Sequence, residues 1–139
     1  MTIMAPPHYE LVAGVPDVGD YVRLRRVAGL SERTPEAAAA GLPNTWFGII
    51  VRHKAEIVGM GRIIGDGGCS FQITDMAVAP DHQGKGLGQC IMQALIDHLK
   101  AHAPESAYIS LIAALRAQSL YERFGFRPVR GLGMTIDLG

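Results

Sequence analysis

Apolar and polar positions along the chain follow two rhythms, and the changes between them mark the elements. "HYELVAG" (His8–Gly14) reads as a short strand with a Gly/Pro stop. Val18, Tyr21, Val22, Leu24 and Val27 recur at helical spacing, which predicts an amphipathic helix over Asp17–Val27. A second helix starts at Thr34, a capping hydroxyl followed by Pro35 and Glu36, and leaves at Gly41. "TWFGIIVRH" and "EIVGMGRII" are β-rich runs that turn through the polar "HKAE", a hairpin. "GDGG" (Gly65–Gly68) is the next turn, and "SFQITDMAVA" the third consecutive strand.

From Gly86 to His102 the period lengthens again, with Leu87, Ile91, Met92, Leu95, Ile96 and Leu99 on one stripe. "AYISLIA" follows as a strand buried on both faces, "AQSLYERFG" as a short helix, and "FRPV" with "GMTIDL" as a closing pair of strands. The expected order is β-α-α-β-β-β-α-β-α-β-β: an α/β layered domain over residues 1–139, its mixed, mainly antiparallel sheet flanked by helices.

Composition narrows the function classes. With 48% hydrophobic residues in 139, the chain can build a real core. Thirteen basic and thirteen acidic residues cancel, which argues against a nucleic-acid or membrane-surface binder. Two cysteines, Cys69 and Cys90, make no disulfide framework, and no metal-ligand set accompanies them. "MTIMAPPHYE" has neither a basic n-region nor a long apolar h-region, so a cytoplasmic protein is expected.

The chemistry concentrates in "DMAVAPDHQGKGLGQ", where three alternate glycines separate a strand from a helix. Helix N-termini carry unpaired N–H groups and partial positive charge, so bare backbone there suits a phosphate. A Walker loop would need Gly and Ser/Thr where Ala79 and Gly86 stand. A dinucleotide fingerprint would need Gly at 89 or 91, which are Gln89 and Ile91. The pattern Q/R-x-x-G-x-G/A fits fully, as Gln83, Gly86 and Gly88.

On that loop, on the strand phrase "DMAVAP" and on "LYERFGF" (Leu120–Phe126), the sequence resembles the GNAT superfamily of acyl-CoA-dependent N-acetyltransferases. "TDMAV" also resembles a phrase of its aminosugar-phosphate branch. The resemblance is specific over Ile73–Phe126 and generic before it. It implies acetyl-CoA as co-substrate and no metal, with the pyrophosphate held by the backbone of Gln83, Gly84, Lys85, Gly86, Leu87, Gly88 and Gln89. It also implies a bulged central strand whose Met76, Ala77 and Val78 line the pantetheine arm, with Met76 and Val78 pairing to it. Tyr121 then matches the general acid for the departing thiolate. Ala114 stands where many relatives have Asn, so a polar contact is either missing or supplied by Gln118 or Ser119.

The base is less defined: Asp75 either takes the amine proton or holds a neighbouring backbone group, Glu122 and Glu56 are weaker candidates, and a water chain is a further route. In the family the first two helices and their loop select the acceptor, which makes Arg25, Arg26, Arg33, Trp46 and Phe47 candidates, set against a solvated helix face and a packed aromatic pair. His98 and His102, four apart on the long helix, read as helix C-terminal cations rather than metal ligands. Cys90 reads as packing and Cys69 as exposed, while His82 rims the loop or faces solvent. The expected activity is acetyl transfer to a primary amine of a small molecule by direct attack, with pairing into dimers through the late strands by analogy with the family. The alternatives are an acyl-CoA sensor module without turnover, or a protein N-acetyltransferase.

Overall fold

The computed structural model describes residues 5–139; the first four residues of the N-terminal reading lie outside the described residues. Strands β1 (Tyr9–Ala13), β2 (Phe47–His53), β3 (Glu56–Gly65), β4 (Ser70–Val78) and β5 (Tyr108–Leu111) form one sheet in sequential order. The first four are antiparallel to their neighbours and β5 is parallel to β4. Helices α1 (Val18–Val27) and α2 (Pro35–Gly41) precede β2, α3 (Leu87–His102) crosses over from β4 to β5, and α4 (Gln118–Glu122) follows.

The helix starts obey their capping chemistry. Asp17 accepts from the Asp20 N–H at the head of α1, and Thr34 accepts from the Ala37 N–H ahead of Pro35 in α2. Strand alternation then sorts side chains to the two faces. Ile49, Val51, Val58, Ile63, Phe71 and Ile73 pack against the apolar stripe of α3. Ile50, Ile57, Met60 and Ala77 pack against Tyr21 and Leu24 of α1, Ala38 of α2 and Leu42. The α/β layered architecture expected from the sequence is present.

Two expectations fail together at the end of the chain. "FRPV" and "GMTIDL" form no strand: beyond Phe126 the chain carries no regular element. Leu132, Met134, Ile136 and Leu138 are 83–96% exposed, so the apolar face of that alternation is covered by nothing in the single chain. In consequence β5 is an edge, with Tyr108 58% exposed, instead of a strand buried on both faces. No described helix is long and apolar enough to cross a membrane.

Candidate active site

The site begins with a defect in the β3–β4 ladder. Met60 pairs with Ala77 and Arg62 with Thr74, so Asp75 and Met76 together oppose Gly61. This two-against-one arrangement is a β-bulge, and Asp75 takes the left-handed backbone it requires, at φ 57°. Gly61 makes the bulge possible, since a Cβ there would lie 2.7 Å from the side chains of both Ile91 and Met76. The resemblance implied a bulge here, and the structure has one.

On its other edge β4 loses its partner at the same point. Pairing with β5 ends at Ile73–Leu111, which leaves the far edge of residues 74–78 bare. The Ala79 N–H donates to the Val58 carbonyl on the β3 side. Alternation therefore turns Met76 and Val78 toward the open edge. There the Gln83 amide already donates to the Val78 carbonyl at 2.9 Å, tying the loop to the strand.

That loop turns on glycine dihedrals. Gly84 and Gly86 have φ 76° and 80°, a region that side-chain-bearing residues avoid. Gly86 caps α3 without any side-chain hydrogen bond, and the first helical bond runs from Cys90 to the Gly86 carbonyl. The N–H groups of Leu87, Gly88 and Gln89 thus point out of a sixteen-residue helix, a backbone cradle for an anion. A Cβ on Gly88 would sit 3.5 Å from Leu120, so α4 packs against this same end of α3.

Tyr121 therefore lies beside the cradle. It is 9% exposed and packs edge-on to Phe126, with ring centroids 6.5 Å apart. Burial pushes its phenol above the ordinary value near 10, which keeps the proton on the oxygen. Its hydroxyl bonds to no described residue, and no fully buried side-chain polar atom is left unpaired, so the oxygen is not fully enclosed. Ala114, in the turn leading to α4, and Gln118, the first residue of α4, are both exposed.

Asp75 is placed otherwise than a general base needs. One carboxylate oxygen is in an ion pair with Arg25. The other accepts from Arg62 Nε at 2.7 Å and from the Tyr21 hydroxyl at 3.0 Å. The side chain is 3% exposed. It holds side chains rather than a neighbouring backbone group. Burial, and next the Asp75 charge, raise Tyr21, so that phenol stays a donor. Arg25 also donates to the Ser31 carbonyl and hydroxyl, and Arg62 to the Thr45 hydroxyl. Tyr21 and Arg62 were not anticipated as site residues. The available signal was Arg62 itself, a charge in the middle of the apolar run "EIVGMGRII", which requires a buried counter-charge.

The acceptor-side candidates separate. Arg33 lines a cleft of about 160 Å³ between α1, α2 and β3, together with Tyr21, Ala37, Gly41, Leu42 and Arg62. Arg25 is buried in the Asp75 network, beneath that cleft and not on its wall. Trp46 and Phe47 are on the α3 side of the sheet, where Phe47 stacks on His98 at 3.6 Å and Trp46 tilts against Phe71 at 4.5 Å. They are core and rim of the α3 layer, and neither lines that cleft.

His98 is pushed down by burial and by His102, and no group of three potential metal ligands exists among the described residues. Glu56 is exposed and pairs with Arg23 at 3.8 Å, and Glu122 is exposed. His82 is bonded to the Tyr9 hydroxyl at 2.6 Å, a contact between β1 and the turn before the loop. Cys90 is buried with its thiol pushed up by burial, while Cys69 is exposed.

The family model "Acetyltransferase (GNAT) domain" matches residues 30–133, a span that takes in the bulge, the bare strand edge and the glycine cradle. The chain belongs to the GNAT acetyltransferase family. A crystal structure from meticillin-resistant Staphylococcus aureus, described as a "Probable Acetyltransferase", superposes with TM-score 0.89 at 43% identity, covering 93% of this chain and 98% of that one. A GNAT family acetyltransferase of Streptococcus pneumoniae shares the fold at TM-score 0.75 and 21% identity, over 94% of this chain and 99% of that one. The uncharacterized N-acetyltransferase ycf52 of Pyropia yezoensis is 35% identical over 73 residues, 52% of this chain. The match takes in 41% of that relative's own length.

Proposed function

We propose that this GNAT acetyltransferase moves an acetyl group from acetyl-CoA to a primary amine of a small molecule by direct attack. The observation that carries the reading is the uncapped N-terminus of α3 behind left-handed Gly84 and Gly86, set against the bare edge of β4. The N–H groups of residues 84–89 hold the pyrophosphate, and the side chain of Lys85 adds a cation. Met76 and Val78 pair through their backbone with the pantetheine arm, alongside Ala77. An N–H re-aimed by the bulge polarises the thioester carbonyl.

In the chemical step the amine nitrogen bonds to the carbonyl carbon, and collapse of the tetrahedral intermediate breaks the C–S bond. Tyr121 donates its proton to the departing thiolate and recovers one from solvent. The amine proton leaves to water, because Asp75 is enclosed and Glu56 and Glu122 stand in solvent. Burial holds the Cys90 thiol away from its thiolate form, which favours a ternary complex over an acyl-enzyme. Gln118 is proposed to touch the pantetheine in place of the side chain missing at Ala114. The exposed alternating segment Leu132–Leu138 is proposed to add to the open edge of β5 in a second copy, giving a homodimer.

The test is thiol release from acetyl-CoA across a panel of small amines. Amine-dependent release with an N-acetylated product supports the reading. CoA binding without turnover on any amine would replace it with a sensor module.

A further inference from the structure

The Asp75 network has more positive charge than negative. Among the described residues two buried guanidiniums, Arg25 and Arg62, share one carboxylate, and they also donate to Ser31 and Thr45, which are neutral. Arg25 is 5% and Arg62 8% exposed, so water screens this surplus poorly. A third guanidinium stands at the mouth of the adjoining cleft. Arg33 donates only to the Ser31 hydroxyl and the Glu32 carbonyl, and no carboxylate pairs with it among the described residues.

The cleft is shaped for a small group. Its volume of about 160 Å³ lies between the two arginines, and Ala37 and Gly41 keep its α2 wall low. Tyr21 and Arg62 form its floor, and both bond the same Asp75 oxygen. Arg62 uses Nε and Nη1 on Asp75 and Thr45, which leaves further N–H donors of a five-donor guanidinium. Asp75 is itself half of the bulge at the open β4 edge. A ligand anchored in the cleft thus extends toward the place where the thioester would lie.

We propose that this cleft binds an anionic group of the acceptor, a carboxylate or a phosphate, held between Arg33 and Arg62. The acceptor class is then an amine that carries an oxyanion a short chain away, as an amino acid or a phosphorylated amine does. Bidentate geometry suits guanidinium to both oxyanions. The proposal rests on the acetyltransferase reading above, and its test separates the two.

The protein is first saturated with CoA, so that the glycine cradle is filled, and inorganic phosphate or acetate is then titrated calorimetrically at constant ionic strength. A saturable site is expected, at least tenfold weaker in Arg33→Gln. It is expected to vanish in Ala37→Glu, which places a carboxylate of the chain's own in the cleft. Phosphate against acetate decides which oxyanion is preferred. Matched amines then test the acceptor: O-phosphoethanolamine against ethanolamine, and β-alanine against propylamine.

The anionic member should have kcat/KM at least tenfold higher, with the advantage lost in Arg33→Gln through KM. No saturable anion binding to the CoA complex, equal binding in both variants, or equal use of the neutral amines would overturn the proposal. The titration decides even where neither amine of a pair is accepted. Failure of CoA to bind at all would instead strike the acetyltransferase reading.

Discussion

At the scale of single residues, the two groups on which the sequence placed the chemistry have different fates. Tyr121 is buried, and burial keeps its phenol protonated, which supports the acid role proposed for it. Tyr121→Phe should lower kcat by roughly 10²-fold, the low end for a general acid because a thiolate leaves readily, with CoA affinity changed less than twofold. Its folded-state pKa lies above the unfolded value near 10. The stability this contributes is therefore intact below about pH 10 and is lost as pH rises through the folded value. Alkaline titration of tyrosinate absorbance in folded and urea-unfolded protein should show that order, and the reverse order would contradict it.

We propose that Asp75 is a keystone and not a base. Asp75→Asn removes the carboxylate that, among the described residues, alone pairs with the two buried guanidiniums, and should cost about 3–5 kcal/mol in urea unfolding. A general base would instead lose turnover with stability intact. The single sequence could place a carboxylate in the cleft strand. It could not show Tyr21 and Arg62 closing over it, because those partners lie 54 and 13 residues away and reach it only through the sheet.

At the scale of elements, local chemistry was legible wherever the chain writes it locally. Asp17, Thr34 and Pro35 announce their helices, and the apolar stripe of α3 announces its buried face. The glycine loop was legible for the same reason, since left-handed dihedrals leave glycine as the ready choice. The bulge at Asp75–Met76 has no such signature, as it depends on Gly61 of another strand giving room.

Gly86→Val separates dihedral from packing. A Cβ there meets nothing within 4 Å, so the variant should fold, at a cost of about 1–2 kcal/mol for the left-handed backbone. The misdirected N–H groups should weaken CoA at least tenfold. An unchanged CoA affinity would show that the loop does not hold the pyrophosphate.

At the scale of the whole molecule, the chain's end is where the sequence pattern and the single-chain fold diverge. Alternation of Leu132, Met134, Ile136 and Leu138 expresses a strand that needs a face to cover, and one chain supplies none. A second copy has both the open β5 edge and the same uncovered segment, and the proposed exchange would satisfy both. Light scattering should give a dimer, and Ile136→Lys, which puts a charge on the apolar face, should give a folded monomer. A wild-type monomer at tens of micromolar would contradict the exchange.

The central claim is that Gly84–Gly88 and the α3 N-terminus hold the pyrophosphate of CoA, and calorimetric titration tests it most directly. CoA and acetyl-CoA should bind one per chain, pantetheine should bind at least tenfold more weakly, and Gly86→Val should abolish most of the difference. Absence of CoA binding, or pantetheine binding as tightly as CoA, would contradict it.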